Sequence, residues 1–179
     1  MKFVSYGKRG MLLESMIEYS NQTYKQKGIA LIDKIPTNWK VYFDKATQKV
    51  RNAFPEKKGT VDFIGVSKGK SIAFDAKSTQ SKTSFALKNV EEHQMRYLLE
   101  HQKHGGVSFF IVYFEKHDEA YFLTIDQYYE WYKAMLGGGR KSIPHKWFQE
   151  NCPLIKSRNG IALDYLEHVF SVHKEGVAQ

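Results

Sequence analysis

A tight turn at Lys68 and Gly69 joins two apolar-rich segments in the stretch GTVDFIGVSKGKSIAFDAK, residues 59–77. Glycine supplies the positive φ angle that a two-residue turn needs, so the stretch predicts a β-hairpin. In a hairpin with this turn, the residue numbers of any two cross-strand partners add up to the same sum as those of the two turn residues, 68 and 69. This register places Asp62 directly opposite Asp75, and two acids at that position restrict what the hairpin can do.

The register sorts polar and apolar side chains onto different faces of the hairpin. Thr60 falls opposite Lys77, and Lys77 lies two residues along from Asp75 on the same face. A loop of odd length would put the two aspartates on opposite faces, so the arrangement depends on the turn. We expect the other face to pack under a helix; it carries Val61, Phe63, Gly65, Ile72, Phe74 and Ala76.

Two opposed carboxylates repel each other by about 4 kcal/mol at 4 Å and an effective dielectric near 20. Lys77 offsets part of this repulsion, and a hard divalent cation such as Mg²⁺ offsets more, because it prefers carboxylate ligands. The alternative is a solvated sheet edge with a surface salt bridge, which is commoner in hairpins of this composition. The apolar flanks and the basic charge of the chain favour the metal site.

Charge in this 179-residue chain is concentrated in one segment. Lys and Arg exceed Asp and Glu by 27 to 19, a net +8 that favours polyanionic partners. Residues 34–58 carry seven basic residues against two acidic ones, a net +5. We interpret the chain as a single domain, 1–179, with 34–58 as an inserted basic projection.

The inserted segment is interpreted as a strand, WKVYF, followed by a short helix capped by Asp44 with Ala46, Val50 and Phe54 along one side. Aromatic residues alternate with lysines here, a mixture that can stack on distorted DNA while the lysines neutralise phosphates. A solvated, charge-rich excursion is the alternative. The aromatic residues in question are Trp39, Tyr42 and Phe43.

The order of the remaining elements predicts an α/β sandwich around a mixed sheet. Helical spacing covers 10–27, 90–103, 126–136 and the region near 162–173, and strand patterns cover 29–35, 107–115 and 120–125. Two apolar stretches, FFIVYF and YYEWY, are either core or a dimer interface.

Several function classes are not supported by the sequence. No stretch approaches the roughly 20 apolar residues of a membrane helix, and the N-terminus has no apolar leader, so we expect a cytoplasmic protein without a membrane partner. Cys152 is expected to be a small buried hydrophobe, and the histidine spacing predicts no zinc site. The loop GGGRKSI is not a Walker A motif, because Arg140 stands where that motif has glycine.

The hairpin contains Asp62, then twelve further residues, then the tripeptide DAK. This arrangement resembles the split acidic motif of the PD-(D/E)xK nuclease superfamily. The segments KRGMLLE, KTSFALKNVEEHQ, GGGRKSI and LDYL together resemble the RecU family of Holliday-junction resolvases, from about Lys8 to about Val169. The resemblance implies a restriction-endonuclease-like mixed β-sheet flanked by helices, with a stalk-like projection at 34–58.

Carried over to this chain, the resemblance implies that Thr60, Asp62, Asp75 and Gln94 surround a Mg²⁺ ion, with Mn²⁺ as a substitute. Lys77 would stabilise the charge that develops on the phosphate, and Glu14 would support the site from the first helix. Without the resemblance, Gln94 and Glu14 are most simply helix-surface residues. Two departures stand out: the superfamily proline is absent before Asp62, and Asp75 replaces the more usual Glu and is one methylene shorter.

The resemblance further implies a homodimer that cuts four-way DNA junctions in recombination and repair, in company with recombinases or branch-migration motors. Alternatives are an endonuclease of the same superfamily that acts on linear duplex, or a junction-binding protein with weak catalysis. Arg140 and Lys141 would grip phosphate, although an exposed solubilising loop is an equal alternative. The expected DNA-binding residues are Arg9, Lys40, Lys45, Lys49, Arg51, Arg140 and Lys141.

Overall fold

The structure, a computed structural model, describes residues 7–36, 39–44, 46–47, 49–55 and 60–171. The helices in these ranges are α1 (Gly7–Gln26), α2 (Glu92–Lys103), α3 (Ile125–Leu136), α4 (His145–Asn151) and α5 (Leu166–Ser171). The strands are β1 (Leu31–Lys34), β2 (Trp39–Phe43), β3 (Val50–Pro55), β4 (Phe63–Ser67), β5 (Lys70–Thr79), β6 (Ser84–Ala86), β7 (Val107–Phe114), β8 (Glu119–Thr124), β9 (Ser142–Pro144) and β10 (Leu154–Ile155).

Six strands form a mixed sheet in the order β1-β4-β5-β7-β8-β10. The pair β5 and β7 is parallel, because α2 carries the chain back across the sheet between them, and the other pairs are antiparallel. This confirms the predicted mixed sheet flanked by helices.

Strand β7 lies inside the sheet, and all eight of its residues are buried. A strand covered on both faces needs a continuous apolar run rather than an alternating one, which explains its sequence, VSFFIVYF. The FFIVYF stretch is therefore core, and the alternative that it forms a dimer interface is wrong.

The two faces of the sheet carry separate hydrophobic clusters. Helix α1 places Leu13 and Ile17 against Phe63 and Phe74 of the hairpin, as predicted for that face. The opposite cluster joins β7 to α2, α3 and α4 and to the small β6–β9 sheet. Val61, which we expected beside Phe63, belongs to this second cluster, because the chain bends at Asp62 before β4 begins.

Strands β2 and β3 form a two-stranded sheet of their own in the inserted segment. The predicted short helix is wrong, because Val50 starts β3 and pairs with Phe43. Asp44 caps a turn instead: its Oδ1 accepts hydrogen bonds from the backbone N–H groups of Ala46 and Thr47, at 2.9 and 3.0 Å. The spacing that suggested one side of a helix belongs to a hairpin.

Cys152 is buried, as predicted. Among the described residues, the longest helices are too short or too polar to cross a lipid bilayer.

Candidate active site

The hairpin of β4 and β5 has the register predicted from its turn. Phe63 pairs with Phe74 and Ser67 with Lys70, so partner numbers add to the same total as 68 and 69. Both turn residues have positive φ angles, 49° at Lys68 and 75° at Gly69, as a type I′ turn requires. The two aspartates lie just beyond the last paired residues of this ladder.

Asp62 is held against β5 by its side chain. The strand ladder ends at Phe63, and the Asp62 Oδ2 atom accepts a hydrogen bond from the backbone N–H of Ala76 at 3.0 Å. Its carbonyl oxygen accepts a further bond from the Ile35 N–H at 2.8 Å. The bend therefore fixes this carboxylate beside that of Asp75.

Asp75 is fully buried on β5. The Lys77 ammonium lies 2.8 Å from its Oδ1 and forms an ion pair with it. Neither carboxylate oxygen has a hydrogen-bond partner among the described residues. Buried polar atoms are almost always satisfied, so these two oxygens require an explanation.

The surroundings of Asp75 favour its neutral form. Burial, and after it the adjacent Asp62 carboxyl, raise the pKa of this carboxyl to about 8, against the opposing effect of Lys77. The alternative of a solvated edge with a surface salt bridge is wrong, because Asp75 is inaccessible and the Lys77 side chain is only 16% exposed. Two adjacent carboxyl groups, with both buried oxygens of Asp75 lacking a hydrogen bond among the described residues, fit a divalent cation.

Gln94 takes part in a helix cap. Its Oε1 accepts a hydrogen bond from the Glu91 backbone N–H at 3.2 Å, one half of a capping box at the start of α2. The sequence analysis missed this cap, because Glu91 is not among the residues that usually stand at an N-cap. Thr60 is exposed in the bend before Val61. A metal-binding role for Thr60 and Gln94 stays a prediction.

Glu14 is paired with Lys34. The Lys34 ammonium lies 2.7 Å from the Glu14 carboxylate and 2.7 Å from that of Glu18. These hydrogen bonds, with that of Glu14 the strongest, raise the pKa of Lys34 to about 12. One of the seven basic residues of 34–58 is thus neutralised by α1, and a supporting role for Glu14 stays a prediction.

The predicted DNA-binding residues lie on two separate surfaces. Lys40, Lys49 and Arg51 are exposed on the β2–β3 hairpin, and the Lys40 ammonium lies 5.7 Å from the centre of the Tyr42 ring. Arg140 and Lys141 are exposed before β9. Lys45 and the side chain of Arg9 lie outside the described residues.

A second cluster of polar side chains, which the sequence did not indicate, comprises His117, Glu119 and His145. The two imidazole rings are parallel within 4°, with centres 4.1 Å apart. An imidazole binds a metal in its own ring plane at about 2 Å, so two stacked rings do not direct their nitrogens at one ion. The His145 Nε2 lies 2.7 Å from Glu119 Oε2, and the Tyr121 hydroxyl donates to the same oxygen at 2.7 Å. The cluster is satisfied by hydrogen bonds as it stands.

This second cluster lies away from the aspartates. Glu119 is level with Phe114 of β7, whereas Asp75 is level with Phe110. Four residues of strand separate the two levels, about 13 Å.

Comparisons with a family model and with known proteins identify the same family. The family model of RecU, described as recombination protein U, matches residues 8–171. A protein named Holliday junction resolvase RecU from a Geobacillus species is 35% identical over 173 residues, covering 94% of this chain and 86% of its own length. Proteins of the same name from Pediococcus pentosaceus and Listeria welshimeri are each 36% identical, covering 92% and 93% of this chain and 84% and 85% of their own lengths.

Among solved structures, the Holliday junction resolvase Hjc from Archaeoglobus fulgidus aligns with 75% of this chain and 92% of its own. The TM-score is 0.41 and the sequence identity 8%, a similarity too low to identify the fold by itself.

Proposed function

This chain belongs to the RecU family, and we propose that it is a metal-dependent endonuclease that resolves four-way DNA junctions by hydrolysing phosphodiester bonds in two opposing strands. The observation that carries the proposal is the buried Asp75 carboxyl, with no hydrogen bond to either oxygen, beside Asp62 and Lys77. A divalent cation held by Asp75 and Asp62 would satisfy these oxygens, because carboxylates are its preferred protein ligands.

Asp62 and Asp75 would hold the ion, Mg²⁺ with Mn²⁺ as a substitute, since carboxylate oxygens are the preferred protein ligands of hard cations. When bound, such an ion supplies a Lewis acid for the phosphate and lowers the pKa of a coordinated water. The Ala76 N–H holds Asp62 in place for this role. Thr60 and Gln94 are assigned as further ligands, and Glu14 as support from α1.

Lys77 stabilises the negative charge that develops on the phosphate oxygens. Its ammonium is the chain's own cation beside Asp75, and its partial exposure leaves it accessible to a substrate. A fixed positive charge aimed at developing negative charge contributes several kcal/mol to a transition state in a dry site.

The β2–β3 hairpin is assigned as the element that recognises the junction. Its exposed Lys40, Lys49 and Arg51 neutralise phosphates, and Tyr42 offers an aromatic surface at the open centre of a four-way junction. Symmetrical cutting of two strands needs two active sites, so we assign a homodimer in the cytoplasm. The partly buried aromatic residues of α3 are candidates for the dimer interface. Recombinases or branch-migration motors are the expected protein partners.

The test compares a synthetic four-way junction with a linear duplex of the same sequence, with and without Mg²⁺. The wild type should give paired nicks on opposing junction strands only with the metal, and Asp75→Asn should give none. Asp33→Asn, which alters an exposed aspartate of β1, is the matched control and should cut normally.

Three results would contradict the proposal. Equal cutting of the linear duplex would indicate another endonuclease of the superfamily. Tight junction binding without cutting would indicate a recognition protein, and full activity in Asp75→Asn would remove the aspartates from the mechanism.

A further inference from the structure

The small β6–β9 sheet brings basic residues from two distant parts of the chain together. Ser84 pairs with Pro144 and Ala86 with Ser142. Backbone hydrogen bonds from His145 N–H to Thr83 and from Leu87 N–H to Lys141, at 2.8 and 3.0 Å, continue this pairing beyond the strands.

Two basic residues flank each of these outer hydrogen bonds: Lys82 and Lys146 are chain neighbours of Thr83 and His145 at one end of the small sheet, and Lys88 and Arg140 are chain neighbours of Leu87 and Lys141 at the other. All four side chains are exposed. Lys146 lies 3.7 Å from Glu150, and the other three form no ion pair with any described residue.

Apart from Glu150, which pairs with Lys146, the sequence around the sheet is poor in acids. Residues 80–90 and 137–149 carry five Lys and Arg residues and no Asp or Glu. The nearby Glu119 carboxylate is already engaged by Tyr121 and His145. The positive charge therefore faces the solvent.

The sheet is anchored on the same side of the protein as Asp75. Phe85 and Ile143 are fully buried in the cluster that contains Phe110 of β7 and Ala73 of β5. Side chains alternate along a strand, so Asp75, two residues beyond Ala73, faces this side too. The four charged residues therefore flank a small sheet that is packed on the same face of the main sheet as Asp75.

The spacing of the two pairs suits a DNA duplex. Lys88 is six positions after Lys82, at most about 20 Å of chain. A strand of duplex presents one phosphate per 3.4 Å of axis, so the two ends can contact phosphates several nucleotides apart. Phosphate contacts of this kind orient a duplex without reading its sequence.

We infer that the β6–β9 sheet is a two-ended phosphate clamp that holds a duplex arm of the substrate on the face of the main sheet that Asp75 occupies, with Lys82 and Lys146 at one end and Lys88 and Arg140 at the other. The inference rests on the proposed function and extends the predicted role of Arg140 to a built surface. It predicts equal effects on junction and linear duplex, because both present the same phosphates.

The test measures binding of each DNA to the full-length protein in EDTA between 50 and 200 mM salt. The variants are Lys82→Ala with Lys146→Ala, and Lys88→Ala with Arg140→Ala. Each pair should lower the slope of log affinity against log salt by about 1.8, since each phosphate contact contributes about 0.9. Lys25→Ala with Lys156→Ala removes the same charge from exposed positions outside the clamp and should leave the slope nearly unchanged.

Slopes of both clamp variants that match the control would overturn the inference. A loss of affinity for the four-way junction alone would also overturn the inference, because it would indicate recognition of branching rather than of a duplex arm. Failure of the wild type to cut junctions with Mg²⁺ would instead overturn the proposed function, because binding in EDTA does not depend on cleavage.

Discussion

Replacing Asp75 by Asn should change how the stability of the metal-free protein depends on pH. The carboxyl of Asp75 has its pKa raised from 3.8 to about 8 in the folded protein. The folded state therefore keeps a proton that the unfolded state releases between about pH 4 and pH 8. Stability from this group is complete below pH 4 and is lost as the pH rises toward 8.

The size of the effect follows from the shift in pKa. Each unit corresponds to about 1.4 kcal/mol, so the buried carboxyl lowers the free energy of unfolding by roughly 4 kcal/mol at pH 7 compared with acid pH. Asn does not titrate, and the packing effects of the substitution are the same at every pH. The difference in unfolding free energy between Asp75→Asn and wild type should thus move in favour of the variant by about 2–3 kcal/mol from pH 5.5 to 7.5.

The assay is urea unfolding of both proteins in EDTA at four pH values from 5.5 to 8.5, with Asp33→Asn as control. The difference in unfolding free energy between Asp75→Asn and wild type should level off above pH 8, where Asp75 has lost its proton in both the folded and the unfolded wild type. Repeating the series with Mg²⁺ should stabilise the wild type and leave Asp75→Asn unchanged. Parallel pH curves for wild type and Asp75→Asn in EDTA would refute the burial argument and with it the metal site built on that argument.

Other perturbations test the fold and the assignment of roles. Gly65→Ala should lower the free energy of unfolding, measured with urea, by more than about 3 kcal/mol. The added Cβ would lie 2.2 Å from the Leu31 carbonyl oxygen and push β1 off the sheet. Stability near that of the wild type would contradict this contact. Gln94→Ala should cost about 1 kcal/mol through the lost bond to Glu91, whereas Gln94→Glu keeps the cap. If Gln94 serves only as a cap, Mg²⁺ affinity measured by calorimetry will be the same in both variants, and a loss in Gln94→Ala alone supports the ligand role. Replacing the β2–β3 hairpin by a short Gly-Ser linker should abolish the preference for four-way junctions in competition binding while Mg²⁺ affinity persists, and an unchanged preference would exclude the hairpin from recognition.

Local patterns in the sequence determined the parts of the structure that depend on neighbours along the chain. The turn at Lys68 and Gly69 sets the hairpin register because side chains alternate strictly with residue number. The apolar run of β7 specifies a strand covered on both faces. The same register brought Asp62 and Asp75 together, and the family motifs gave this pair its expected role.

The inserted segment shows where local pattern was insufficient. Ala46, Val50 and Phe54 are four residues apart, which fits a helix, and short apolar patterns of this kind do not separate helix from strand. Pairing of β3 with β2 decided the outcome, since β structure depends on contacts across the pair more than on intrinsic preference.

Tertiary structure alone decided the environment of the charged groups. Only the assembled sheet and its helices remove Asp75 from water, and only the pairing of β9 with β6 brings the segments that carry Arg140 and Lys88 to the same small sheet. The stacking of His117 on His145 likewise joins residues 28 positions apart. Burial and non-local pairing are properties of the packed chain, and they decide what a carboxyl or an ammonium group can do.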